Sequence, residues 1–156
     1  HEDGLKKRYV GLGLKRVPNI PSSMHFDKPS GWLYLIDTGN SRFIRFKPEN
    51  STYLSTAPTY PIEQPIDRYQ VKDLQELVSK SDDVLFQPSG LLMHNGITYI
   101  SDALTSLIIA FDDNWKLIEV AQTGLTKNSL AGITVGPDNK MYLVDRNSNR
   151  VLRLDP

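Results

Sequence analysis

Apolar positions along the chain fall in short runs separated by turn formers, a pattern closer to strands than to amphipathic helices. Trp32-Leu-Tyr-Leu-Ile36, Thr98-Tyr-Ile-Ser101 and Lys140-Met-Tyr-Leu-Val144 are rich in residues that suit a pleated, half-buried surface. A turn cluster precedes each: Lys28-Pro-Ser-Gly31, His94-Asn-Gly96 and Gly136-Pro-Asp-Asn139. Asn95-Gly96 is a strong hairpin signal, because both residues tolerate positive φ. Pro137 suits a type I turn, with its φ held near −65° by the ring.

The runs repeat. Aligned on an aspartate that ends a strand, three stretches superpose. They are Pro21-Ser-Ser-Met-His-Phe with Gly31 to Asp37 and on to Phe46, Pro88-Ser-Gly-Leu-Leu-Met with Gly96 to Asp102 and on to Phe111, and Leu130-Ala-Gly-Ile-Thr-Val with Lys140 to Asp145 and on to Leu154. Asp102 and Asp145 are 43 residues apart, Asp37 and Asp102 are 65 apart, and the difference predicts an insertion of about 22 residues. A period near 43 with three or four strands per unit is that of a propeller blade. The expected fold is therefore all-β, built of four-stranded antiparallel blades. Residues 1–19 would be a lead-in and the outer strand of a preceding blade, 20–57 a blade, 58–83 the insertion, 84–127 a second blade and 128–156 an incomplete third. Tyr9 to Val17 supplies that outer strand. The insertion begins with an extended stretch punctuated by Pro58, Pro61 and Pro65. It then predicts a short helix, with Val71, Leu74 and Leu77/Val78 at helical spacing among Lys72, Asp73, Glu76 and Lys80.

Asp37-Thr-Gly-Asn-Ser-Arg42, followed by alternating apolar residues, resembles the NHL-repeat signature of six-bladed propellers. Asp145 and Arg150 keep its aspartate–arginine spacing, with Ser148 where asparagine is usual; Asp102 is followed by Thr105 and Leu107 instead. No Trp-Asp pair marks WD40 blades and no kelch-type diglycine occurs. The resemblance implies structural roles for Asp37, Asn40, Arg42, Asp102, Asp145 and Arg150. The aspartate would accept turn amides, Asn40 would take a left-handed turn position, and the arginine would return over the turn to a carboxylate. Closed propellers need four to eight blades. This predicts a partial ring completed by further sequence or another chain, and the start His1-Glu2-Asp3 predicts a trimmed or excised segment.

Charge adds exclusions. Eighteen Lys+Arg balance 18 Asp+Glu, giving zero formal net charge and no nucleic-acid footprint or polybasic stripe. No apolar window is long enough for a helical membrane span, so no membrane insertion is expected. Without cysteine there is no disulfide scaffold, thiolate metal site or thiol nucleophile. Asn50-Ser51-Thr52 is a glycosylation sequon in a predicted loop, which points towards a secretory or extracellular setting.

Two function classes remain open. In the first, the chain is a non-enzymatic scaffold whose insertion binds a protein partner through Tyr60, Ile62, Ile66 and Tyr69, or which meets the remaining blades of its ring. In the second, His25, Asp27 and His94 near a central channel contribute to a divalent-metal site, zinc or calcium, in a lyase or lactonase-like hydrolase. NHL-like amidating lyases carry a zinc histidine after the proline that opens a blade. Ser22, Ser89 and Ala131 stand there, and none can replace an imidazole. His1 is a remote copper candidate, having no partner motif.

Overall fold

Every strand of the repeat ends where its turn chemistry stops it, and the chain is nearly all β. The computed structural model describes residues 7–57 and 66–154. Sheet I comprises β2 (Met24–Asp27), β3 (Trp32–Asp37), β4 (Arg42–Phe46) and β7 (Gln75–Val78). Sheet II comprises β8 (Pro88–His94), β9 (Ile97–Asp102), β10 (Leu107–Phe111) and β11 (Leu117–Gln122). Sheet III has β12 (Leu130–Val135), β13 (Met141–Asp145) and β14 (Arg150–Leu154). All three sheets are antiparallel and consecutive in space, with β8 against sheet I and β12 against β8 and β9. A fourth, outer sheet orders β1 (Lys7–Val10), β6 (Ile66–Gln70) and β5 (Thr52–Ala57), and its β1–β6 pair is parallel.

The same register positions join each sheet to the next. Tyr34, Ile36 and Phe43 on one face of sheet I meet Ile100, Ile109 and Phe111 of sheet II. On the opposite face of sheet II, Ile108 meets Leu130 and Leu143 of sheet III, with Tyr99 packed alongside. We term the face that meets the following sheet the leading face and its reverse the trailing face. Neighbours Phe43 and Ile44 are both fully buried because sheet I is covered on both sides: Ile44 faces Leu12, Leu35, Phe46 and Val71. Each such side chain contributes about 1.5–3 kcal/mol on burial.

The turns follow their sequences. Asn95 (φ 51°) and Gly96 (φ 74°) make the β8–β9 hairpin with both central residues left-handed. Gly90 lets the inner strands close up: a Cβ there would lie 2.5 Å from Ser101 Oγ and 3.2 Å from Gly132 Cα.

The expected helix over 71–80 does not form. Gln75–Val78 is a strand on the edge of β4, followed by a 3₁₀ turn at Lys80–Asp82. The four apolar residues read as one helical stripe serve opposite faces of sheet I. Val71 and Leu74 pack on the trailing face beside Phe46, whereas Leu77 and Val78 pack on the leading face beside Phe43. A single helix face could not reach both. Sheet I is thus completed by a strand from the stretch read as insertion. Thr52–Ala57, read as part of the blade, belongs to the outer sheet.

Candidate functional site

In sheets I and II the signature aspartates clamp the segment that leads into the sheet, whereas in sheet III Asp145 binds its own turn. Asp37 accepts the Lys15 backbone N–H at 2.9 Å on one oxygen, and Asn40 Nδ2 (2.7 Å) and Arg42 Nε (2.8 Å) on the other. Arg42 continues to the Leu12 carbonyl at 2.7 Å and to Glu76 at 3.0 Å. Burial alone would lower the Arg42 pKa, but its bonds to Asp37 and Glu76 outweigh that and raise it. Asp102 accepts the backbone N–H groups of Phe86 (2.8 Å), Gln87 (2.7 Å) and Thr105 (2.9 Å), and the Thr105 hydroxyl. Thr105 therefore takes over one of the side-chain bonds made in sheet I by Asn40. Asp145 accepts from Asn147 and Ser148 backbone N–H groups and pairs with Arg150 at 3.2 Å. Desolvation pushes the Asp145 carboxyl up, yet the bonds from Ser148, Arg150 and Asn147 outweigh it and hold it below 3.8.

Asn40 does not take the left-handed position expected of it. That position falls one residue later, four after each aspartate, at Ser41 (φ 51°), Ser106 (φ 58°) and Asn149 (φ 52°). Asn40 instead closes a 3₁₀ turn and donates to the Gly13 carbonyl and Asp37, bonds that do not require positive φ. The left-handed residue joins sheets. Ser41 Oγ donates to the Phe86 carbonyl ahead of sheet II. Ser106 Oγ donates to the Thr126 carbonyl and accepts the N–H groups of Ser129 and Leu130 ahead of sheet III. Sequence reading missed these serines, although their constant offset from the aspartate was visible.

The metal candidates do not converge. His25 lies exposed on β2, and the Asp27 carboxylate takes the Ser30 hydroxyl within its own turn. His94 Nε2 is 3.0 Å from both Asn139 Oδ1 and Asn95 Nδ2. Among the described residues no three His, Asp or Glu side chains form a metal-sized group.

The partner candidates fall on the outer sheet. Tyr60 and Ile62 lie outside the described residues, as does His1; Ile66 and Tyr69 are half-buried on β6. Tyr69 is the middle rung of a tyrosine ladder, 5.8 Å from Tyr9 and 5.8 Å from Tyr53, with the Lys7 ammonium over its ring. Cross-strand pairing of Tyr9, Tyr69 and Tyr53 puts all three on one face. Tyr9 anchors the ladder on Phe46, while Tyr53 and neighbouring Leu54 are exposed. Asn50, the sequon residue, is exposed in a 3₁₀ turn and donates to Asp73 at 2.8 Å.

A second aromatic cluster seals the junction of sheets I and II. The Arg45 guanidinium sits 4.2 Å from the Trp32 ring, 5.6 Å from Trp115 and 5.9 Å from Tyr34, while its Nε donates to Gln75. Trp115 reaches this place from the β10–β11 turn with φ at 63°, which a bulky residue adopts only when its packing compensates.

No protein-family model matches the chain, and no curated protein matches it in sequence. No helix among the described residues is long and apolar enough to cross a membrane.

Proposed function

We propose that this chain is part of an NHL-like β-propeller and works as an assembly scaffold that binds a protein partner. The observation carrying the binding role is the tyrosine ladder. A hairpin interrupting sheet I between β4 and β7 presents exposed Tyr53 beside Tyr69, with exposed Leu54 next along the strand, on a sheet anchored through Tyr9. Aromatic side chains on a fixed support lose little entropy on binding and are the usual anchors of protein interfaces. The 58–65 connection joins the two strands of this hairpin, so Ile66 and Tyr69 lie on the strand that leaves it. The signature carboxylates support a structural role, because Asp37 and Asp102 bind backbone donors of the preceding segment and Asp145 binds donors of its own turn.

Affinity purification from the native source with in-place crosslinking tests the reading. A Tyr53→Ser/Leu54→Ser variant should lose a partner that the His25→Ala/His94→Ala variant keeps. A partner retained without the tyrosine hairpin, or a stoichiometric metal lost with the histidines, would overturn it.

A further inference from the structure

The groove between sheets I and II is flanked by two edge strands, β7 and β11. These edges differ. β7 has four residues, and its exposed polar side chains are engaged, Gln75 with Arg45 and Glu76 with Arg42. β11 has six, Leu117-Ile-Glu-Val-Ala-Gln122, with Leu117 41%, Ile118 52% and Val120 42% exposed and Glu119 as its one charge. Outward N–H and C=O groups on an edge template another strand, and proteins ordinarily blunt them with charge, proline or shortness. β7 is blunted in this way and β11 is not.

A bulge aims the apolar side chains of β11. Leu117 pairs with Phe111 and Val120 with Ile109, and the register shifts between Ala110 and Phe111. Residues three apart in a regular strand face opposite ways. The extra residue, Ile118, brings Leu117 and Val120 onto one face with Phe111 and Ile109, the trailing face of sheet II that meets sheet I. Glu119 pairs with Ala110 and takes the reverse face.

Beside Leu117 the groove deepens into a cavity of about 320 Å³. Phe111, Trp115, Leu77 and Val84 line it with Leu117, and Asp82 is the charged residue of its lining. Trp115 is a fixed wall, packed on Tyr34 and Phe43. The volume lies at the lower limit for a drug-sized ligand and suits a bulky apolar side chain delivered on a longer chain.

We propose that β11 takes an extended peptide of a partner protein as the fifth strand of sheet II, with a phenylalanine- or leucine-sized side chain seated in the cavity beside Leu117. The edge and the cavity together select this occupant. A row of backbone donors and acceptors is matched by another extended backbone and not by a helix or an apolar small molecule. Main-chain bonds then supply affinity, and the pocket fixes which side chain enters. Asp82 favours a basic residue next to the anchor. The groove lies on the leading side of sheet I, whereas the tyrosine ladder is anchored through Tyr9 on its trailing side, so either proposal can fail alone.

The probe is a synthetic heptapeptide, Thr-Val-Arg-Phe-Thr-Val-Thr, added to the 156-residue chain. Amide hydrogen exchange should slow along β11, and tryptophan fluorescence should change saturably. Two copies of the peptide, N-methylated on alternate sets of residues, keep every side chain. One should bind at least about tenfold more weakly and the other should keep its affinity, because every second N–H faces β11. Leu117→Lys, at an exposed position, should weaken the parent peptide about tenfold or more with unchanged circular dichroism. The N-methylated copies test the parent chain itself, so the proposal stays falsifiable if that variant misfolds. Unchanged exchange in β11, equal binding of the two N-methylated copies, or full affinity in a folded Leu117→Lys variant would each overturn strand addition. So would β11 exchange that slows with chain concentration alone, the mark of two copies pairing there instead.

Discussion

Asp102 shows why an aspartate recurs at the end of the second strand of each sheet. It is fully buried and accepts three backbone N–H groups and a hydroxyl, so Asp102→Ala strands several buried donors together. Chemical denaturation should report a loss on the order of 3–5 kcal/mol. Ser106→Ala removes the acceptor for Ser129 and Leu130 and should cost about 1–3 kcal/mol in the same measurement. Asp145 carries a pH signature. Its carboxyl is held below 3.8 in the folded chain, so its stabilising contribution is full above that value and is lost as pH falls through the depressed one. An Asp145→Asn variant should therefore show a shallower loss of stability below about pH 4 than the parent chain, followed by acid titration of the unfolding midpoint.

At the scale of elements, the close approach of β8 to β12 depends on one glycine more than on the other. Gly90→Ala would press a methyl against Ser101 Oγ and the backbone at Gly132 and should destabilise by about 1–3 kcal/mol. Nothing lies within 4 Å of a Cβ at Gly132, so Gly132→Ala should leave the denaturation midpoint nearly unchanged. The two substitutions separate packing from backbone entropy, which would act at both. Strand β7 offers a second contrast. Val78 is 2% exposed on the leading face of sheet I, and Val78→Ala should cost about 2 kcal/mol. Exposed Gln75 on the same strand has its side chain on Arg45, and Gln75→Ala should act mainly by loosening Arg45 from the aromatic cluster. The chain's two tryptophans, Trp32 and Trp115, both lie beside Arg45, so their fluorescence reads that change directly.

Over the whole molecule, the sheets join in series through one recurring set of positions. These are buried between sheets I and II and between sheets II and III, while Val144 and Val151 of sheet III and Met24 and Phe26 of β2 are exposed. Strand content, the Asn95-Gly96 hairpin, the repeat and its aspartates were legible in the sequence, because each rests on local chemistry. Side-chain alternation has a period of two, positive φ selects asparagine and glycine, and a carboxylate can bind the amides of its own turn. The Asp37–Arg42 pair belongs with these, being five residues apart across one turn. The fate of 71–80 was not legible. Local spacing there favours a helix, and only the presence of buried surface on both sides of sheet I sends Val71 one way and Val78 the other. The histidines likewise look alike along the chain, but His94 meets Asn139 ahead of sheet III while His25 is exposed on β2. Sequence by itself determined where the strands turn and how often the unit recurs. Tertiary structure decided which strand completes each sheet and what each polar side chain binds, since those choices depend on surfaces supplied by segments tens of residues away.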